Sequence, residues 1–154
     1  MELRDIIEPG AVLANLKPNS KKRLLQELAT LAAPLAGVDE RAIFETLLQR
    51  ERLGSTGVGS GVAIPHGKLP NMERIIGVFA HLAKPIGFDA MDDQPVDVVF
   101  MLLAPEGSGA DHLKALSRIA RLFRDQSALA QIRAANDADA MYSLLTEHEK
   151  ANAA

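Results

Sequence analysis

The sequence predicts an α/β fold in which a small mixed β-sheet is flanked by helices on both sides. Two apolar runs, RIIGVFAHLA (74–83) and VDVVFMLLAP (96–105), are rich in β-preferring residues and lack the regular polar positions of a half-exposed strand. Strands buried on both faces need helical cover on both, and helical patterns stand before and after these runs. The 154 residues contain no internal repeat, low-complexity tract or Pro/Ser-rich linker, so residues 1–154 read as one domain.

VLAN (12–15) is a candidate first strand. After Pro18, Asn19 or Ser20 caps a helix whose leucines recur at helical spacing (Leu24, Leu25, Leu28, Leu31, Leu35) and which ends at Gly37. Its opening Lys21-Lys22-Arg23 reads as a solvated helix start. Asp39 caps a second helix with Ile43, Phe44, Leu47 and Leu48 on its apolar side, stopping near Gly54. GSTGVGSG (54–61), with four glycines in eight residues, reads as a loop able to fold back over a site. Val62-Ala63-Ile64 is a short buried strand, and Pro65, which has no N–H, is expected to stop its ladder. His66 then stands just past the strand end, held between Pro65 and Gly67, while Pro70 forbids immediate entry into a helix. KPIGFDAMDDQP (84–95) is turn material between the two long strands. EGSGADH (106–112) leads into the helix HLKALSRIARLF (112–123), with shorter helical patterns over 127–135 and 137–147.

Composition excludes several classes of function. Hydrophobic residues at 47% and charged residues at 24% are ordinary for a soluble domain, and the lack of cysteine removes disulfides, thiolate chemistry and cysteine-type zinc sites. A net charge of -3, one Tyr and no Trp argue against a nucleic-acid surface. The N-terminus is acidic from its second residue and no apolar run reaches membrane-spanning length, so a cytoplasmic protein without membrane insertion is expected. Gly61 to Lys68 has five residues between its glycines and Leu69-Pro70 after the lysine, which fails the P-loop pattern; GVGSG fails the dinucleotide fingerprint. Asp89, Asp92 and Asp93 follow no metal-loop spacing, and no cofactor is expected.

The histidines carry the chemistry. His81 falls within a strand, with its polar edge expected in water, and His148 lies in the polar tail. His112 falls on the helical arc of Leu113, Leu116, Ile119, Ala120 and Phe123, so it should point inward from a first turn, where free N–H groups and the helix dipole favour an anion. Arg50 flanks the core stripe of the second helix, whereas Arg52 points away. A guanidinium near His66 and His112 would form a phosphoryl pocket; the plain alternative is a surface arginine paired with Glu51 or Asp39.

RERLGSTGVGSGVAIPHGK (50–68), PIGFDAMDDQPVDVVFMLLAP (85–105) and DHLKALSRIARLFRD (111–125) together resemble the enzyme IIA component of the bacterial phosphoenolpyruvate-dependent phosphotransferase system, mannitol/fructose class, nearest its nitrogen-regulatory branch. The resemblance runs roughly from Ile6 to Leu145. It implies a phosphohistidine carrier with His66 as the phosphorylated residue, Arg50 and His112 as phosphoryl-binding helpers, and the family's mixed sheet flanked by helices. It also implies an HPr-like phosphocarrier, itself charged by enzyme I, as donor, and targets such as potassium transporters or sensor kinases. The second ring nitrogen of His66 would be held by a backbone carbonyl or by the hydroxyl of Ser55 or Thr56, and apolar surface around the site would dock the carrier, with Leu69 and Met72 either part of it or ordinary loop anchors. With no attached membrane or IIB segment, the regulatory branch is favoured over a free-standing sugar-transport IIA component or a binding module that is never phosphorylated.

Overall fold

The computed structural model describes residues 2–153, with side chains for 2–147. Two 3-10 turns, Leu3–Asp5 and Pro9–Ala11, open the chain and bury Leu3, Ile6 and Ile7, a segment for which the sequence suggested no structure. They lead into β1 (Val12–Leu16). Helix α1 (Lys21–Ala36) begins where the Ser20 hydroxyl accepts from the Arg23 N–H at 3.1 Å and ends at Gly37, which takes φ 66. Helix α2 (Glu40–Arg52) is capped by the Asp39 carboxylate, which accepts from the Ala42 N–H.

The glycine-rich segment is only partly a loop. It contains β2 (Gly57–Gly59), which pairs antiparallel with β3 (Val62–Ala63) in a tight hairpin. β4 (His66–Leu69), β5 (Ile76–Ile86) and β6 (Val96–Pro105) complete a six-stranded sheet ordered β1-β5-β6-β3-β2, with β4 also on β6. β5 extends into residues expected to be turn, through Ile86. The β5–β6 pair is antiparallel while β1 on β5 and both β3 and β4 on β6 are parallel, so the sheet is mixed.

Seven successive residues of β6, Val98 through Ala104, have no exposed surface, which requires cover on both faces of the sheet. On one face Gly67 of β4 abuts Thr46 of α2. On the other, Phe79 of β5 and Phe100 of β6 cluster with Phe123 of α3 (Ala110–Arg124), Phe79 stacking on Phe123 at 6.2 Å. α4 (Gln126–Ala134), capped by Asp125, and α5 (Ala138–Ala153) close that layer, α5 lying on β1. His148 lies outside the described side chains.

Candidate functional site

The site is built on a strand, not beyond one. β3 and β4 keep the same register on β6, with Val62 opposite Val98, Ala63 opposite Val99 and His66 opposite Leu102. Pro65 lacks a donor, as expected, yet its carbonyl accepts from the Leu102 N–H at 2.9 Å, so the ladder continues through it. β3 does end at Ala63, before Pro65; what is corrected is the expectation that His66 stands past the strand, because pairing on β6 resumes at once with His66 as the first residue of β4. Strand alternation then turns Gly67 toward α2 and the half-buried His66 toward the opposite layer.

β4 and β6 run parallel and finish together, Leu69 opposite Pro105. The chain leaves β6 through a 3-10 turn at Glu106–Ser108 and through Gly109, at φ 57, which a glycine adopts without steric cost. That connection brings the first turn of α3 against His66. The imidazoles of His66 and His112 meet edge to face, centroids 5.7 Å apart. His112 is 7% exposed, and its Nε2 has no partner among the described residues. The buried face of α3 is His112, Ala115, Ile119, Leu122 and Phe123; Leu113, expected on that arc, is 67% exposed.

His66 Nδ1 lies 2.8 Å from the Ile64 carbonyl. A carbonyl can only accept, so Nδ1 carries the proton and Nε2 is left with a free lone pair. Of the holding groups the sequence suggested, the structure selects the backbone carbonyl: the Ser55 hydroxyl donates to the Phe88 carbonyl and the Thr56 hydroxyl to Glu51. Burial pushes the His66 pKa down and the Arg50 charge adds to that, against the Ile64 hydrogen bond and Glu51, which raise it. Burial also lowers His112, with smaller contributions from His66 and Lys68. Both rings are therefore neutral in neutral solution.

Arg50 is half-buried at the end of α2, where its guanidinium donates to the Gly54 carbonyl at 2.9 Å and its charge reaches His66. Asp39 is engaged in capping and Glu51 pairs with Lys21, so the alternative of a surface Arg50 paired with either carboxylate is not what the structure shows. Lys21, expected in solvent, instead sits 3.0 Å from the buried Glu51 carboxylate and over the Phe88 ring. Leu69 and Met72, at 2% and 8% exposure, are core anchors and offer no docking surface. His81 does not simply face water, since its Nε2 is 3.7 Å from Asp97, which Arg133 also grips. Glu51 itself was missed as part of the site. Its signal was legible, because Ile43, Leu47 and Glu51 recur every four residues and place a carboxylate on an apolar helix stripe.

Residues 5–148 match the family model described as phosphoenolpyruvate-dependent sugar phosphotransferase system, EIIA 2. The chain belongs to that family. Among curated relatives, the nitrogen regulatory protein of Bradyrhizobium diazoefficiens is 63% identical over 145 residues, covering 94% of this chain and 95% of the relative. The nitrogen regulatory protein of Pseudomonas aeruginosa is 40% identical over 148 residues, covering 96% of each. The crystal structure of nitrogen regulatory protein IIA-Ntr from Neisseria meningitidis superposes with a TM-score of 0.89 at 36% identity, over 92% of this chain and 97% of that one. The mannitol IIA structure from Escherichia coli, at 18% identity and a TM-score of 0.76 over 90% of this chain and 97% of that one, shares the fold. The IIA domain thus aligns with the nitrogen-regulatory branch of a family of phosphotransferase components. Among the described residues no helix is long and apolar enough to cross a membrane.

Proposed function

We propose that this IIA domain is a phosphoryl carrier that accepts a phosphoryl group on His66 Nε2 from the phosphohistidine of an HPr-like protein. The observation that carries the reading is the His66 ring itself, neutral, anchored through Nδ1–H to Ile64 and set edge-on to a buried histidine whose Nε2 has no partner among the described residues. In the transfer, the lone pair on Nε2 forms the new P–N bond as the donor's P–N bond breaks, its electron pair returning to the donor imidazole. A loose in-line transition state asks chiefly for alignment and charge stabilisation. Arg50 neutralises charge on the phosphoryl oxygens, and His112 donates one hydrogen bond to them in its Nε2–H tautomer.

Phosphorylation adds about two negative charges at this face. That charge is the signal by which a cytoplasmic, single-domain regulator changes its affinity for targets such as potassium transporters or sensor kinases. Leu113, exposed next to His112, supplies apolar surface for the donor in place of Leu69 and Met72.

Intact-mass measurement after incubation with enzyme I, the phosphocarrier and phosphoenolpyruvate tests the reading, with His66→Ala alongside. One acid-labile phosphoryl group on the wild type and none on the variant is expected. No gain on the wild type with a competent donor overturns it.

A further inference from the structure

The β2–β3 hairpin is in register so that Gly57 faces Ala63, which places Thr56 opposite Ile64. Residues facing each other in a hydrogen-bonded antiparallel pair exchange both N–H···O bonds. Here only one is made: the Ile64 N–H donates to the Thr56 carbonyl at 3.0 Å. The reciprocal donor, the Thr56 N–H, is turned instead to the Glu51 carboxylate at 3.0 Å, and the Thr56 hydroxyl donates to the other carboxylate oxygen. The Ile64 carbonyl, relieved of its ladder partner, is the group that holds His66 Nδ1.

We infer that Glu51 is a positioning residue for His66, acting by diverting the Thr56 N–H so that the Ile64 carbonyl is free to fix the imidazole with Nε2 unprotonated. The inference rests on the phosphocarrier reading for its consequence but not for its geometry. Glu51 is 8% exposed, and a carboxylate is seldom buried without paired charges and donors to hold it. Lys21 supplies the countercharge at 3.0 Å and also donates to the Phe88 carbonyl at 3.3 Å, the same carbonyl that accepts from the Ser55 hydroxyl. Glu51 also carries a charge that favours the protonated ring, opposing burial and Arg50. Its bonds run to Thr56 and Lys21 and not to His66, so its effect is read in the state of the ring.

The test combines nitrogen-15 NMR of the His66 imidazole with the rate of phosphoryl acceptance. Lys21→Met/Glu51→Leu removes the acceptor and leaves no unpaired charge, an exchange that buried ion pairs often tolerate. The freed Thr56 N–H then closes on the Ile64 carbonyl. The Nδ1-protonated population of His66 is expected to fall and phosphoryl acceptance to slow about tenfold, the lower end of what removing the group that orients a metal-bound histidine costs. Glu51→Gln keeps an acceptor for Thr56; the Nδ1-protonated tautomer persists while the His66 pKa drops. An unchanged tautomer in the double variant overturns the inference, and so does loss of the tautomer in Glu51→Gln. If the wild type accepts no phosphoryl group, the phosphocarrier reading fails, while the NMR comparison still decides the role of Glu51.

Discussion

Replacing Gly67 by alanine tests how tightly the strand bearing His66 is pressed onto α2. A Cβ at this position would stand 2.6 Å from Thr46 Cγ2. Carbon atoms in contact sit about 3.5–4.0 Å apart, so strand and helix would have to separate by roughly 1 Å. Neither side yields easily: Thr46 is β-branched, which restricts χ1 in a helix to two rotamers, and β4 is paired to the central strand. Gly67 does not have positive φ, so the effect is packing and not backbone strain. Overpacking of this kind costs about 1–3 kcal/mol, against about 0.4–1 kcal/mol gained from a stiffer unfolded chain. The centre of these ranges is a net loss of about 1.3 kcal/mol, so with a urea m-value of about 2 kcal/mol per molar the midpoint for Gly67→Ala should fall by roughly 0.6 M. Thr46→Ser removes the obstructing methyl, so the double variant should recover most of the loss. A midpoint for Gly67→Ala within about 0.2 M of wild type, or additive effects in the double-mutant cycle, would refute the argument.

Acidification is a second test. The folded-state pKa of both His66 and His112 lies below the ordinary 6.5, so in the interval below 6.5 the unfolded chain binds more protons than the folded one. Stability therefore rises with pH through that interval and is lost as pH falls below 6.5; urea midpoints should drop between about pH 7 and about pH 5.5, and drop less in His66→Ala/His112→Ala. Lys21→Met strands the buried Glu51 carboxylate and should cost about 2–3 kcal/mol in denaturant unfolding, whereas Lys21→Met/Glu51→Leu should stay within about 1 kcal/mol of wild type. Arg50→Gln should slow phosphoryl acceptance about 10²-fold in a rapid-mixing assay, with a stability change under about 1 kcal/mol. His112→Ala should still accept the group but pass it on poorly; unchanged transfer in both directions excludes a role for this ring.

Helix ends were readable because they depend on neighbours in sequence: Ser20, Gly37 and Asp39 act through groups within a turn. The long strands were readable because Val98 through Ala104 are apolar without interruption. His66 stood out because proline and glycine flank it. Pairings were not readable. Nothing local in Gly57–Gly59 announces a strand, since the hairpin exists only because β3 is already held on β6. Likewise Lys21 looked solvated because its partner is thirty residues away, and Leu69 and Met72 read equally as docking surface or as anchors because the sheet that buries them is a tertiary fact. Leu113 was placed inward by a helical wheel that gave the arc the wrong centre by one position; the burial of Ala115 and Leu122 sets the true one.

The shared register of β3 and β4 on β6 divides the two histidines by local stability. His66 stands in a ladder with the central strand, and amides there are released to exchange with solvent only when the whole sheet opens. His112 hangs from a helix start whose Gly109, Ala110 and Asp111 are all exposed and have no side-chain cap. Hydrogen exchange should find slow amides at Gly67 and Leu69 and fast ones at Ala110 and Asp111. In the proposed transfer, a donor or a target would come and go by fraying one turn of helix while the His66 ring keeps its place.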